Sequence, residues 1–175
     1  MSEIFPLPAG LGVVRRASRA DVVEIVRLLA DDPLGQPRET LSNPLPRSYY
    51  QAFAGIEADP NQFLAVVELE DGMDRENSTP GQLITYSIAG TFQLSFIPCL
   101  SYQGAWRAQL EGVRVGSPYR NRGLGRAMLL WVIEHSRQRG CKFLQLSSNK
   151  SRTDAIRFYQ RLGFVASHEG MKLEL

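Results

Sequence analysis

The chain has two cysteines, Cys99 and Cys141, among its 175 residues. They stand alone, with no C-x-x-C and no histidine at metal-ligand spacing, so the sequence argues against a disulfide scaffold and a zinc site. Two buried free thiols are expected, and with them a reducing, cytoplasmic setting. Long apolar runs are absent too. The longest, Met128 to Ile133, falls far short of the roughly 20 residues a membrane span needs and reads as the core of a helix. Met1 to Gly10 has neither a basic n-region nor an apolar h-region, so no signal peptide is expected. Charge of one sign is also lacking. Twenty basic against 18 acidic residues leave a formal net charge of +2, too balanced to predict a nucleic-acid partner. There are no internal repeats and no low-complexity tract.

What is present is the composition of an ordinary globular protein, 43% hydrophobic and 22% charged, at a length that predicts one domain over residues 1–175. A short strand is expected over Leu11 to Ala17. Ser18-Arg19-Ala20-Asp21 then resembles a capping box in front of a helix over about residues 19 to 30, with Val22, Ile25, Val26 and Leu29 on one face. Asp31 to Arg47 holds Pro33, Gly35, Pro37, Pro44 and Pro46, which excludes a regular helix. Long ordered loops in compact domains are usually functional, which marks this one as a candidate for the substrate side. A second helix follows over Ser48 to Ala58.

Strands fill the middle: Phe63 to Leu69, then a loose connection over Asp71 to Gly81, Leu83 to Ile97 with a bulge or bend at Gly90, and Trp106 to Val115. The order then becomes a helix from Gly123 to Arg139, a strand from Lys142 to Ser148, a helix from Thr153 to Leu162, and strands beginning at Gly163 and Lys172. The pattern predicts an α+β fold, antiparallel strands followed by a βαβα half.

The strongest chemical signal is Tyr119-Arg120-Asn121-Arg122-Gly123-Leu124-Gly125-Arg126, between a strand and a long helix. Glycines let a backbone approach a phosphate, and the first N–H groups of a helix point outward at the positive end of its dipole. Arg120, Arg122 and Arg126 would add charge around such a nest; the alternative is a tight turn with solvated arginines. A dinucleotide site would need glycine where Met128 stands, and a phosphate-binding P-loop would need Gly-Lys-Ser/Thr, which does not follow.

Arg120-x-x-Gly123-x-Gly125 instead resembles the Q/R-x-x-G-x-G/A signature of the GNAT superfamily of N-acetyltransferases. Two more segments carry the resemblance. Leu110-Glu111-Gly112-Val113-Arg114-Val115 is similar to the family's fourth strand, and Ala155-Ile156-Arg157-Phe158-Tyr159-Gln160-Arg161-Leu162-Gly163-Phe164 to its A-x-x-F-Y-x-x-x-G-F run. It is strong from Trp106 to Phe164 and weaker over the first hundred residues.

The resemblance implies a mixed, mostly antiparallel sheet of six to seven strands flanked by about four helices, with the fourth and fifth family strands splayed apart around an acyl-CoA. It implies that backbone N–H groups from Asn121 to Arg126 hold the pyrophosphate and that the Val113 and Val115 backbone meets the pantetheine arm and polarises the thioester carbonyl. Ala155 and Phe158 would line the cofactor, with Tyr159 beside the thioester sulfur. Asn149 would touch the pantetheine, or else make ordinary strand-end hydrogen bonds.

A phenol at Tyr159 suits protonation of the departing thiolate, help worth roughly 10²–10⁴-fold; the alternative is a packing residue. Strand alternation puts Glu111 on the face of Val113 and Val115, away from Leu110, Gly112 and Arg114. A carboxylate buried there would have a raised pKa and act as base or amine anchor, or be a salt-bridge partner. His135 and His168 are expected to be structural. The expected activity is acetyl transfer from acetyl-CoA to an amine, a small molecule in preference, with no metal, nucleic acid or membrane partner; the oligomeric state is open, homodimers being common among soluble enzymes. The alternatives are a non-catalytic acyl-CoA-sensing module and a protein lysine or N-terminal acetyltransferase.

Overall fold

The computed structural model describes residues 4–6, 12–32, 34–70 and 86–174. Six strands form one sheet in sequence order: β1 (Ile4–Pro6), β2 (Val13–Arg16), β3 (Gln62–Glu70), β4 (Tyr86–Pro98), β5 (Trp106–Val115) and β6 (Cys141–Leu146). Neighbours are antiparallel except β5 and β6, which are parallel. A parallel pair needs a crossover, and α4 (Leu124–Gln138) supplies it.

Strand β3 shows how the layers arise. Phe63, Ala65 and Val67 pack with Phe92, Leu94 and the α4 residues Met128, Trp131 and Val132. Val66, pointing the other way, packs with Val22, Ile25 and Val26 of α1 (Val22–Ala30) and Phe53 of α2 (Arg47–Ala58). A strand covered on both faces must be apolar on both, and Phe63 to Val67 is. The Asp21 carboxylate accepts from the Ser18 N–H at 2.7 Å and from Arg15, so the expected box before α1 is present. Helix α5 (Thr153–Arg161) lays Phe158 and Tyr159 against the α4-side core. His135, half-buried, stacks on Trp131 at the edge of that core, with ring centroids 4.5 Å apart.

Besides four regular helices, the described residues include a short turn between β4 and β5, α3 (Ser101–Gly104), in which Tyr102 and Gln103 have left-handed backbone. Both thiols are free and half-buried. Residues 162–174 form no strand, and Val165, Met171 and Leu173 are exposed. The strands expected at Gly163 and Lys172 are therefore absent up to Glu174. Leu173 alternates with charged neighbours, but alternation makes a strand only when an edge is paired. The connection expected over Asp71 to Gly81, and the first residues of the strand expected from Leu83, lie outside the described residues.

Two bulges decide where the site lies. The β3–β4 register shifts between Val67 and Glu68, beside the expected irregularity at Gly90. In β5, Arg114 pairs with Thr91 but Glu111 with Gln93, so Gly112 and Val113 together oppose Phe92. Gly112 takes a positive φ of 60° there, a conformation that costs other residues about 1–2 kcal/mol.

Candidate active site at the splayed end of the sheet

Pairing between β5 and β6 ends at Leu110 and Leu146, while β5 runs on to Val115. The two strands therefore open into a cleft bordered by residues 111–115 on one side and the chain from Ser147 into α5 on the other. The Gly116 N–H donates to Ala89 of β4 at 2.9 Å. By strand alternation the Val113 and Val115 backbone groups then face the opening. Their carbonyls are occupied: Arg114 Nη1 donates to Val113 at 2.8 Å and Arg120 Nε to Val115 at 3.0 Å. The N–H groups of both valines remain directed at the cleft.

Helix α4 begins beside it. Gly123 is the N-cap, with φ 81°, and Asn121 is left-handed at φ 61°. The first intrahelical bond runs from Ala127 N–H to the Gly123 carbonyl. The N–H groups of Leu124, Gly125 and Arg126 lie before it and have no carbonyl to bind in the helix, the condition for an anion site. Gly125 keeps the approach clear: a Cβ there would stand 3.8 Å from both Phe158 Cζ and Val115 Cγ2. Arg122 and Arg126 are exposed around this turn.

Tyr159 sits behind the opening, its ring 5.5 Å from Phe158 and 5.7 Å from Phe164. Burial pushes its phenol pKa up, while the charges of Arg114 and Arg152 pull it partly back. It is thus a protonated donor in a half-buried, positively charged corner.

Two expectations need correction. The first is the face of Glu111. The bulge inserts one residue, so Leu110, Val113 and Val115 all face the α4-side core, and Glu111 stands on the opposite face, exposed. Its neighbours there are polar: Gln93 directly opposite, Gln62 bonded to Gln93 and Ser95, and Gln109 bonded to Gln145. The burial expected for it is absent. Glu111 is nevertheless the first β5 residue beyond the last β6 pair, at the vertex of the opening.

The second is Arg120. Its guanidinium folds back onto the Asp31 carbonyl and carboxylate and onto Val115, so its charge is used within the fold rather than around the helix start. Of the two readings of Asn149, the local one is seen: its side-chain oxygen accepts from Ser151 N–H at 2.9 Å and Ser151 Oγ at 2.8 Å. That is a local turn before α5, and only the amide nitrogen is left to a ligand. Ala155 is half-buried on the first turns of α5, one turn before Tyr159.

The structure adds residues that the sequence reading did not single out. Asp32, after α1, faces Arg114 Nε at 2.9 Å and Arg152 Nη2 at 2.5 Å, and accepts from the N–H groups of Leu34 and Gly35. Those partners hold its carboxyl pKa down at about 2 against the cost of burial. The loop flagged for its prolines thus docks on the site through Asp32, while Tyr49 of α2 holds Glu39 at 2.9 Å. A separate cleft of about 630 Å³ lies between α1, the start of β4 and the turn at residues 116–119. None of the site residues read from the sequence lines it.

Comparison with known proteins bears on this geometry. The profile of the Acetyltransferase (GNAT) family matches residues 29–164. A solved structure, a transcriptional regulator from Bacillus halodurans C-125, is 42% identical, with TM-score 0.78, covering 93% of this chain and 98% of its own. Among curated proteins, the chain is 37% identical over 92 residues to a glucosamine 6-phosphate N-acetyltransferase of Trypanosoma brucei brucei, covering 52% of this chain and 60% of the relative. It is 38% identical over 63 residues to an aminoalkylphosphonate N-acetyltransferase of Salmonella typhimurium, covering 36% and 41%. The chain therefore spans less than two thirds of these curated relatives.

Proposed function

The chain belongs to the acetyltransferase (GNAT) family, and from that premise we propose that it transfers the acetyl group of acetyl-CoA to a small-molecule amine. The observation that carries the reading is one opening with three unlike features on its border. These are the first N–H groups of α4, the Val113 and Val115 backbone on an unpaired strand edge, and the Tyr159 phenol. The matched relatives named for small amines support the choice of acceptor.

In this reading the α4 turn binds the pyrophosphate and the pantetheine arm pairs along Val113 and Val115. Their N–H groups polarise the thioester carbonyl. The amine attacks directly, forming the C–N bond as the C–S bond breaks. Glu111, directly or through water, takes the amine proton or holds a cationic amine, and Tyr159 protonates the departing thiolate. The reaction runs within one domain, without a metal.

Calorimetric titration with coenzyme A, in competition with ATP and NAD, tests the cofactor assignment. Coenzyme A binds and resists both competitors, and Gly125→Val, which wedges between Phe158 and Val115, weakens it by about tenfold or more. Unchanged affinity in that variant removes the phosphate-nest reading.

A second reading has one observation behind it, the 42% identity to a protein named as a transcriptional regulator. A domain that senses acetyl-CoA for a partner would use the same cofactor contacts and release no thiol.

A further inference from the structure

The mouth of the opening on the α1 side carries more positive charge than its acid can hold. Arg114 belongs to β5 beyond the last β6 pair, and Arg152 is the N-cap residue of α5 across the cleft. Both reach one carboxylate, Asp32, which also serves two backbone N–H groups. Three of the four donors, Arg152 Nη2 and the N–H groups of Leu34 and Gly35, crowd onto Oδ1.

The contact to Arg114 is correspondingly poor. Its Nε stands 2.9 Å from Asp32 Oδ2, yet the pair makes no aligned hydrogen bond, and both atoms are buried without another partner. Buried donors and acceptors left so cost free energy until something completes them. Burial, and then the like charge of Arg152, outweigh the attraction of Asp32 and disfavour the Arg114 charge. Glu39 also lies within electrostatic reach but is engaged by the Tyr49 hydroxyl. A pure latch between β5 and α5 would need one well-formed arginine–carboxylate pair. This site holds two guanidinium groups, one of them misaligned, close enough to the Tyr159 phenol for both charges to act on it.

We propose that the acceptor amine carries an oxyanion (carboxylate, phosphate or phosphonate) that Arg114 and Arg152 grip at this mouth, placing the amine over the cleft. The inference deepens the acetyl-transfer reading and rests on it for the amine. The oxyanion class follows from the arginines, whose planar forks suit carboxylate and phosphate oxygens alike.

The test separates binding from turnover. The full chain, saturated with coenzyme A so that its own phosphate site is filled, is titrated calorimetrically with 2-aminoethylphosphonate and with ethanolamine. The phosphonate binds tighter by about tenfold or more, and Arg152→Gln, at a partly exposed helix start, removes most of that advantage. Arg114→Gln does the same where it folds. In parallel, thiol release is compared across acid and amide pairs of the same amine, and kcat/KM favours the acid. Equal binding of the two probes, or an advantage that survives in both variants, overturns the inference. Anion-selective binding with no thiol release from any amine instead overturns acetyl transfer and leaves the anion site standing. Thiol release from neutral amines without anion preference does the reverse.

Discussion

Leu110 and Val113 lie on the same face of β5 although three residues apart, where an unbroken strand would place them on opposite faces. The bulge at Gly112 makes the difference. It keeps the valines against the core, turns Arg114 toward Asp32, and marks where β5 leaves β6. A Cβ at Gly112 would meet only Leu29, at 3.8 Å, so the cost of replacing it is backbone conformation, not a clash. Gly112→Ala is expected to lose about 1–2 kcal/mol of stability, read from denaturant midpoints at constant slope. Wild-type stability in this variant would mean that the bulge does not depend on glycine.

Tyr159→Phe removes one oxygen from a half-buried ring and leaves the cofactor contacts in place. Coenzyme A affinity is expected to stay within a few-fold while kcat falls by roughly 10²-fold. Because burial holds the phenol pKa above its ordinary value of about 10, Tyr159 stays protonated through mildly alkaline pH. The kcat profile should therefore show no alkaline loss from this group below about pH 10. Full turnover in the variant would reduce Tyr159 to packing, with water as the acid.

Much of this was legible because it is written in short-range periodicity. The bounds of β5 follow from its residues as read, α4 and α5 differ by a residue or so, and Val113, Val115 and the glycine turn lie at one opening. The face of Glu111 was not legible. A glycine with positive φ inside a strand has no compositional mark, and one inserted residue reverses every face beyond it. The grip of Asp32 on Arg114 and Arg152 was hidden for another reason, since its members are scattered over 120 residues of chain. Only the proline-rich loop that carries Asp32 was visible beforehand.

Glu111, exposed at the vertex of the opening, has its role decided by kinetics. With an aromatic amine of low pKa as acceptor, Glu111→Gln is expected to flatten the acidic limb of kcat/KM and lower kcat, with coenzyme A affinity nearly unchanged. A rise in KM confined to cationic amines would make it an anchor, with the proton leaving through water. An unaltered profile at full rate would exclude both roles.

Asp32 couples the site to acid stability. Its folded pKa of about 2 lies below the usual carboxylate value of about 3.9. The stabilisation is therefore fully present above about pH 4 and is lost as pH falls through about 2. In Asp32→Asn the unfolding free energy should lose that part of its pH dependence and fall below wild type at neutral pH. Parallel wild-type and mutant curves from pH 7 to 2 would show that Asp32 forms no such pairs in solution.

Acetyl transfer is tested most directly by mixing the protein with acetyl-CoA and a library of amines while thiol and N-acetylated product are quantified together. At least one small amine is expected to yield both in equal amounts, at a rate that falls about 10²-fold in Tyr159→Phe. Coenzyme A binding with no acetylated product from any amine would contradict it and leave a sensing domain.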